Sequence, residues 1–404
     1  MKIISIGVLR ETKNPPDRRV PLTPEQCSEL SNKYGQLELQ VQPSELRCHS
    51  DQEYLDAGVE LREDLGECDI LLGVKEVKVP ALIADKRYVF FSHTAKEQPY
   101  NRGLLQAVVE KNISLVDYEY LTNESGVRVV AFGRWAGVVG AYNGLRALGL
   151  RSGRFELPPA ASCRDLKEMK KLLKGVDAGR TRMVLTGGGR VAGGALEVLK
   201  AAGIKQVEPE AYLAGSYERS VFTRLDPWHY TRNRFREQFD FKHFMENPHL
   251  YENRFLPYAR RSDMFVACHF WDPRSPVMLS QEDLRGGSVP IRVVADISCD
   301  IEGPIASTLR ASTIAEPFYG YEPVMGEETE AFREDVITVM AVDNLPGELP
   351  RDASRDFGKA LMENVIPELL GELNTGMIKR ASITGKGGLT KNYAYLREYL
   401  EGKG

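Results

Sequence analysis

Short apolar runs alternate with amphipathic helical patterns along the first 150 residues. The runs "IISIGVL", "DILLGV", "RYVFF" and "SLVDYEY" have the length and composition of buried strands. Alternation of strands and helices favours an α/β protein with parallel sheets. The strand predictions are 3–9, 69–74, 87–91 and 114–120, and the helix predictions are 24–34, 97–111 and 131–149.

The first helix carries clear start and stop signals. Thr23 has the residue type of an N-cap, Pro24 suits the first helical position, and Gln26 completes a capping box. Gly35 follows at the predicted end.

A second block of strands and helices begins at position 182 with "RMVLTGGGRVAGGALEVLKAAG". Strand-like segments at 293–298 and 336–350 and a closing helix at 352–371 follow it. We therefore predict an α/β fold of two Rossmann-like domains with parallel sheets and a cleft between them. The predicted substrate domain is 1–133 plus 345–404, and the predicted dinucleotide-binding domain is 134–344 with an inserted lobe near 218–262.

The glycine-rich loop of the second block stands between an apolar strand and a helix, which is the context of a dinucleotide-binding loop. Gly187 permits the tight turn, Gly189 lets a pyrophosphate approach, and Ala192 takes the third position of the spacing. A glycine turn that only allows close helix packing is the alternative. The predicted cofactor-binding residues are Gly187, Gly188, Gly189, Arg190, Val191, Ala192 and Glu208.

Glu208 lies about twenty residues beyond the loop, where a ribose-binding carboxylate is expected. A carboxylate repels a 2′-phosphate and favours NAD, whereas Arg190 and Arg219 have the opposite effect. The sequence therefore predicts NAD or NADP as cofactor and leaves the choice between them open.

Polar residues with acid–base potential follow each strand of the first block. The carboxyl ends of parallel strands meet at one edge of a sheet, so these residues are expected to lie together. Clustered cations lower the pKa of a lysine and favour acid–base chemistry, although each residue alone reads equally well as a solvated loop charge. The residues are Arg10, Glu11, Arg18, Arg19, Lys75, Glu76, His93, Lys96, Tyr118 and Glu119.

Composition excludes some classes of protein. The net charge of −4 gives no general attraction to nucleic acid, and no apolar stretch approaches twenty residues, so we expect neither nucleic acid nor membrane as partner. The six cysteines lack a C-x-x-C pair, which suits reduced thiols in a cytoplasmic protein. His229, His243 and His249 match no common ligand spacing, so no metal is predicted.

The sequence resembles a known superfamily. "GVLRETKNPPDRRVPLTP" is similar to the opening of alanine dehydrogenases and transhydrogenases. "FFSHTAKEQPYNRGLLQAVVEKNISLVDYEYL", "GVRVVAFGRWAGVVG", "VVADISCDIEGPI" and "VDNLPGELPRDAS" resemble the lysine-ketoglutarate reductase branch, the lysine-forming saccharopine dehydrogenases. The resemblance implies NAD(P)H-dependent joining of L-lysine and 2-oxoglutarate to saccharopine, in a direction that the sequence leaves open, and a possible homo-oligomer.

The resemblance also implies roles for individual residues. Lys75 and His93 fall on the acid–base pair of the family. Glu76, Lys96 and Glu119 fall on positions that tune this pair. The implied substrate-binding residues are Arg18, Arg19, Arg128, Asp296 and Asp300, and which of the two aspartates contacts substrate is left open.

The sequence leaves two alternative functions open. One is another amino-acid or opine-type dehydrogenase on the same scaffold, for example one that uses ammonia and pyruvate. The other is an NAD(P)-binding sensor without turnover. The surplus of arginines disfavours the first, and the lysine–histidine pair disfavours the second.

Overall fold

The computed structural model describes residues 3–14, 17–235 and 238–403. The chain divides into two compact units, Met1–Phe132 with Pro350–Gly404 and Gly133–Leu349. These units are called the first and second unit below. The catalytic and cofactor-binding roles of the two domains remain predictions.

The strands and helices of the first part of the chain follow the order expected of a wound α/β fold. The strands are β1 (Ile4–Val8), β2 (Leu37–Val41), β3 (Glu60–Leu61), β4 (Ile70–Leu72), β5 (Arg87–Phe90) and β6 (Ser114–Asp117). The α-helices are α1 (Pro24–Lys33), α2 (Asp51–Asp56) and α3 (Arg102–Glu110). Short 3-10 turns occupy Val79–Ala81, Thr94–Lys96, Pro99–Asn101 and Tyr118–Tyr120.

The six strands of the first unit form one sheet in the order β3-β2-β1-β4-β5-β6, and all neighbours are parallel. This is the strand order of a Rossmann sheet. The parallel register pairs Val8 with Leu72, Leu72 with Val89, and Phe90 with Asp117. The carboxyl ends of β1, β4, β5 and β6 therefore lie at one edge of the sheet, as predicted.

Local signals account for the helix boundaries. Thr23 caps α1 through the backbone N–H of Gln26, and the Gln26 side chain accepts from the Thr23 N–H, which confirms the predicted capping box. The helix expected from 97 starts only at Arg102, because Glu97 takes a left-handed backbone conformation and Pro99 starts a separate 3-10 turn.

The second unit contains most of the remaining chain. Its strands are β7 (Arg182–Thr186), β8 (Lys205–Gln206), β9 (Val221–Leu225), β10 (Thr231–Asn233), β11 (Tyr251–Asn253), β12 (Met264–Ala267), β13 (Val293–Asp296), β14 (Phe318–Glu322), β15 (Glu327–Thr329) and β16 (Ile337–Met340). Its α-helices are α4 (Gly133–Ser152), α5 (Leu166–Leu173), α6 (Arg190–Ala201), α7 (Pro209–Ala214), α8 (Pro227–Tyr230), α9 (Phe241–Glu246), α10 (Leu256–Ala259) and α11 (Gln281–Arg285). Ala160–Ser162, Pro248–Leu250 and Leu345–Glu348 form 3-10 turns.

Eight strands of the second unit form one sheet in the order β15-β14-β16-β13-β12-β7-β9-β8. The six strands from β16 to β8 are parallel, and β14 and β15 add an antiparallel edge. β9 lies beside β7, although the sequence placed residues 221–225 inside the inserted lobe. The inserted lobe, defined here as residues 227–259, contains α8, β10, α9, β11 and α10.

The chain then returns to the first unit through its last helices. These are α12 (Pro350–Ala360), a π-helical turn at Leu361–Val365, α13 (Ile366–Leu369), α14 (Met377–Ala381) and α15 (Arg397–Leu400), with β17 (Thr384–Gly385), β18 (Gly388–Leu389) and a 3-10 segment at Lys391–Leu396. The predicted helix over 352–371 is therefore not continuous. Pro367 has no N–H to donate back to Glu363, and the helix widens just before it.

The C-terminal segment covers the outer side of β6, which is the last strand of the first sheet. The Ile383 N–H donates to the Leu115 carbonyl at 2.8 Å, and the Leu115 N–H donates to Thr384 Oγ1 at 3.0 Å. An edge strand with free backbone groups is a site for unwanted strand pairing. These contacts occupy part of the β6 edge.

Close packing of α4 against α6 sets the position of the glycine-rich loop. A Cβ atom on Gly137 would lie 1.8 Å from the Val191 carbonyl oxygen, and one on Gly194 would lie 2.0 Å from the Arg134 carbonyl oxygen. Both partners are backbone atoms, which cannot move away alone. Gly194, the second of the two glycines after Ala192, is thus required for the close packing of α4 against α6.

All six cysteines lie in the described part of the chain and are free thiols. Five are buried, and Cys299 is half-buried. Within the described residues, no helix combines the length and the apolar composition that crossing a bilayer requires.

We predict that Gly194→Ala lowers the free energy of unfolding by at least about 2 kcal/mol, because the new methyl group overlaps a fixed carbonyl. Gly193→Ala is the matched control, since no described atom lies within 4 Å of the place that its methyl group would take. It should raise stability by up to about 1 kcal/mol through helix propensity. Urea denaturation of both variants measures the difference, and equal stabilities would refute the packing role.

Candidate active site

Charged residues follow β4, β5 and β6 at the shared edge of the first sheet. Lys75 and Glu76 come just after β4, His93 and Lys96 after β5, and Glu119 after β6. The structure therefore brings together the ends of neighbouring strands that the sequence had singled out.

His93 and Glu76 are joined by a short hydrogen bond. His93 Nδ1 lies 2.5 Å from Glu76 Oε1, and Lys13 Nζ lies 3.5 Å from Glu76 Oε2. Burial alone would raise the pKa of the Glu76 carboxyl, but the His93 hydrogen bond and nearby charges bring it to about 2. Glu76 is therefore a carboxylate that orients the imidazole and leaves its Nε2 as the other reactive nitrogen.

The backbone at His93 is held in an unusual conformation. Its φ of 53° lies in the left-handed region, which residues other than glycine adopt infrequently. Non-glycine residues in this region cluster at functional sites, where the surrounding structure supports them. The Asn101 side chain lies at 3.5 Å from the His93 carbonyl.

Lys75 is fixed through its backbone. The Glu11 carboxyl accepts the Val74 N–H at 2.6 Å and the Lys75 N–H at 2.9 Å, which ties the loop after β1 to the end of β4. Burial lowers the pKa of the Lys75 ammonium, and the positive charges of Arg19 and Lys13 lower it further. Burial also raises the pKa of Glu11, to about 7.

Arg19 and Asp17 form a buried ion pair. Arg19 Nε donates to Asp17 Oδ1 at 2.9 Å and Nη2 donates to Oδ2 at 2.6 Å. The Arg19 guanidinium also lies over the Phe132 ring at 4.2 Å. Burial would raise the Asp17 pKa, but Arg19 lowers it to about 2. Nε and Nη2 of Arg19 are thus both bonded to Asp17, whereas the neighbouring Arg18 side chain is exposed.

Glu119 joins the two remaining cations. Its carboxylate oxygens lie 3.2 Å from Lys96 Nζ and 3.1 Å from Arg128 Nη2. The buried Asp117 at the end of β6 holds this region, because it accepts the N–H of Glu119 at 2.8 Å and both the N–H and the hydroxyl of Ser92. Asp117 thereby links the end of β6 to the loop that carries His93.

Two tyrosines of the C-terminal segment contact the same loop. Tyr399 donates to the Gln98 carbonyl at 2.5 Å, and Tyr395 donates to the Ala95 carbonyl at 3.4 Å. The C-terminal segment therefore supports the loop between β5 and α3.

The second unit contains a pocket of about 730 Å³ around the glycine-rich loop. Gly187 has φ +102°, and a Cβ on it would lie 2.5 Å from the Cys268 carbonyl oxygen, so the turn requires glycine. Gly189 caps the twelve-residue helix α6, and no described atom lies within 4 Å of its Cβ direction. A cradle of this shape at a helix N-terminus fits the pyrophosphate of a dinucleotide.

The predicted cofactor residues divide into two groups. Gly187, Gly188, Gly189, Arg190 and Val191 line the pocket, and Ala192 is buried behind them in α6. Glu208 is exposed at the start of α7 and lies outside the described residues that line the pocket. Glu208 lies away from the pocket because the strand before it, β8, is the edge strand and is separated from β7 by β9.

Asp226 takes the position expected of the ribose-binding acid. It follows β9, the strand beside β7, and its Oδ1 would lie 2.5 Å from a Cβ on Gly188. Arg224 Nη2 donates to Asp226 Oδ2 at 2.7 Å. The apolar run "VFTRL" ending in an aspartate is a signal that sequence reasoning missed, because the spacing of about twenty residues pointed to Glu208.

His269 is a second residue that sequence reasoning missed. It lines the pocket just after β12, and its Nδ1 lies 2.7 Å from the Thr186 hydroxyl. Burial lowers its pKa to about 4, so the ring is neutral. Its buried Nε2 finds no hydrogen-bond partner among the described residues, which leaves one polar group for a ligand.

The two aspartates after β13 differ in accessibility. Asp296 is buried, and its oxygens accept the Cys299 N–H at 3.0 Å and the Thr308 hydroxyl at 2.8 Å. Burial raises the pKa of Asp296 to about 6 and also raises that of Asp300. Asp300 is half-buried and is the more accessible of the two.

Comparison with solved structures establishes the fold. An L-alanine dehydrogenase has a TM-score of 0.66 at 16% identity, over 99% of this chain and 100% of that chain. A transhydrogenase from Sinorhizobium meliloti has a TM-score of 0.58 at 14% identity, over 96% of this chain and 98% of that one. Residues 7–139 match the family described as Alanine dehydrogenase/PNT, N-terminal domain. The chain therefore has the α/β fold of the alanine dehydrogenases, with one parallel sheet and one mostly parallel sheet that carries an antiparallel edge.

Proteins related in sequence indicate a more specific resemblance than the fold does. Alpha-aminoadipic semialdehyde synthase of Arabidopsis thaliana is 30% identical over 97% of this chain and 41% of its own length, and the Mus musculus protein of that name is 29% identical over 98% and 48%. Saccharopine dehydrogenase [NAD(+), L-lysine-forming] of Yarrowia lipolytica is 26% identical over 89% and 90%. The chain spans less than half of the synthases and nine-tenths of the fungal enzyme. It is a homologue of these oxidoreductases, which confirms the predicted resemblance.

We predict that the Lys75 ammonium titrates below the ordinary lysine range around 10.5, because burial and neighbouring cations disfavour its charged form. At any pH near 9, a larger fraction of Lys75 is then neutral than for a lysine in water. Reductive ¹³C-methylation and NMR titration measure each amine, with Lys75→Arg for assignment. Titration of Lys75 within the ordinary lysine range would contradict the prediction.

Proposed function

We propose that the chain is an NAD(P)-dependent saccharopine dehydrogenase of the L-lysine-forming type. The observation that carries the proposal is the paired arrangement of Lys75 and His93 at adjacent strand ends, held by Glu11 and Glu76. The homologues named for this reaction support it.

The proposed reaction balances as a reductive condensation. L-Lysine, 2-oxoglutarate, NAD(P)H and a proton give saccharopine, NAD(P)⁺ and water. A C–N bond forms between the ε-amine and the keto carbon, water leaves to give an imine, and the imine is reduced. The nicotinamide cofactor supplies the hydride for this reduction.

Lys75 and His93 serve the proton transfers. The ε-amine of the substrate must lose protons as the C–N bond forms, and the hydroxyl of the adduct must gain one to leave as water. The lowered pKa of Lys75 makes its ammonium group easier to deprotonate to a base, and the imidazole of His93 has one nitrogen to accept a proton and one to donate it. Glu76 keeps the imidazole oriented.

Cationic side chains of the first unit bind the substrate carboxylates. The exposed Arg18 has the accessibility for this role, and Lys96 and Arg128, which both contact Glu119, add positive charge on the first unit. Arg19 acts mainly by setting the charge around Lys75, since Asp17 occupies its fork. In the second unit, Asp300 rather than the internally bonded Asp296 is the acid for an amine substrate.

The cofactor is held by the second unit. The glycine-rich loop and the start of α6 bind the pyrophosphate, and Asp226 accepts hydrogen bonds from the ribose hydroxyls. A carboxylate at this place repels a 2′-phosphate, so the chain prefers NAD(H) over NADP(H). Cytoplasmic location and a homo-oligomeric state remain predictions from the sequence.

We expect NADH oxidation at 340 nm with 2-oxoglutarate to require L-lysine, and to fail with ornithine, ammonia or no amine. Lys75→Met and His93→Gln should each lower kcat by about 10²–10⁴-fold, the usual contribution of a general acid or base. Lys78→Met, an exposed lysine just beyond the site, should leave kcat unchanged.

Turnover with another amine or oxoacid would keep the chemistry and replace the substrate. NADH binding without turnover on any amine would instead support the sensor. Wild-type-like turnover in Lys75→Met would show that the proton transfers use other groups.

A second prediction concerns cofactor choice. Asp226→Asn removes the repulsive carboxylate and leaves Arg224 available to a 2′-phosphate, so the ratio of kcat/KM for NADPH over NADH should rise at least about tenfold. Glu208→Gln is the matched control and should leave that ratio unchanged. A shift in the Glu208 variant alone would restore the acid chosen from sequence spacing.

A further inference from the structure

The inserted lobe and the loop after β12 expose large apolar side chains to one pocket. Trp228 is 52% exposed, Phe241 57% and Phe270 72%, and Met245 is also exposed. Together with the buried Phe244, these residues line the same pocket as the glycine-rich loop. We call these five residues the apolar wall.

The apolar wall rests on a rigid aromatic cluster. Trp228 packs against Phe239 with ring centroids 6.1 Å apart, and Phe239 contacts Phe244 at 5.6 Å and Tyr251 at 5.7 Å. Tyr251 is almost fully buried. Trp228 thus has a packed side against this cluster, while about half of its surface and of the Phe241 surface stays exposed.

The apolar wall continues directly from the groups assigned to the cofactor. Asp226 and Pro227 stand immediately before Trp228, and His269 immediately before Phe270. Trp228 and Phe270 therefore face the pocket from the segments after β9 and β12, the two strands that flank β7 in the sheet, and the other three residues of the wall face it from α9. A ligand whose ribose binds Asp226 and whose pyrophosphate binds the glycine-rich loop would extend its base into this part of the pocket.

The chemistry of the wall selects one kind of group. Arg190, Asp226 and His269 are the arginine, carboxylate and imidazole side chains among the described pocket-lining residues, and the two other titratable ones, Tyr230 and Cys268, are buried. The rest of the lining is aromatic or aliphatic. Stacking on aromatic faces suits a flat, uncharged heterocycle, whereas a dicarboxylate or an ammonium substrate would lose its hydration there.

We propose that the inserted lobe is a cofactor-binding element whose apolar wall binds the adenine ring, stacked on Trp228 and Phe241. This inference rests on the proposed function, because it takes a dinucleotide as the ligand. It assigns to the lobe a role in holding the base.

The test is calorimetric titration of the full chain with ADP-ribose, AMP and nicotinamide mononucleotide. Trp228→Ala and Phe241→Ala should each raise the Kd for ADP-ribose about tenfold, the loss expected when one stacking partner of a base is removed. Affinity for nicotinamide mononucleotide, which lacks adenine, should not change. Trp228→Phe keeps a ring and should restore most of the affinity.

Phe235→Ala is the matched control. Phe235 lies in the same lobe and is 78% exposed, but it is not one of the described residues that line the pocket. Its Kd for ADP-ribose should equal that of the wild type. ADP-ribose should also quench tryptophan fluorescence in the wild type far more than in Trp228→Phe.

The outcomes separate this inference from the proposed function. Unchanged ADP-ribose affinity in both alanine variants, with tight wild-type binding, would overturn the role of the lobe and leave the dehydrogenase proposal intact. A change in sedimentation behaviour without a change in Kd would overturn it as well, because the wall would then contact a second copy. Failure of the wild type to bind ADP-ribose and NADH would overturn both proposals.

Discussion

Parallel pairing of β1, β4, β5 and β6 is the constraint on which the candidate active site depends. Each strand enters the sheet from the same side, so each following loop starts at the same edge. Glu11 and Lys75, which are 64 positions apart, thereby become neighbours without any local sequence signal that links them. The Glu11 carboxyl, which accepts the backbone N–H groups of Val74 and Lys75, secures two of these loops to each other.

Charge pairing at this edge allows several ionisable groups to share a small volume. Desolvation opposes every charged group there, and each carboxylate with a lowered pKa has a cationic or imidazole partner. Asp17 compensates Arg19, and Glu76 compensates His93 and Lys13. Lys75 is the group on which burial and neighbouring cations act in the same direction. This imbalance makes Lys75 the candidate acid–base group among them.

In the second unit, the strand order changes which acid lies beside the glycine-rich loop but keeps the loop itself. β9 occupies the place beside β7 that the strand after the glycine loop usually takes, and β8 is displaced to the edge. The acid at the end of the neighbouring strand is therefore Asp226, about forty positions from the glycines instead of twenty. The inserted lobe begins at the next residue, so the same displacement brings its aromatic side chains to the pocket.

The sequence by itself determined the α/β class, the positions of most strands, the capping box of α1, the glycine-rich loop and the resemblance to saccharopine dehydrogenases. These features depend on local backbone preferences and on residue order, which a chain carries before it folds. Tertiary structure alone decided which charges pair. It bonded Arg19 to Asp17, buried Asp296 while leaving Asp300 accessible, and placed Asp226 rather than Glu208 among the described residues that line the pocket. Strand order and burial arise from contacts between distant segments, and no spacing along the chain records them.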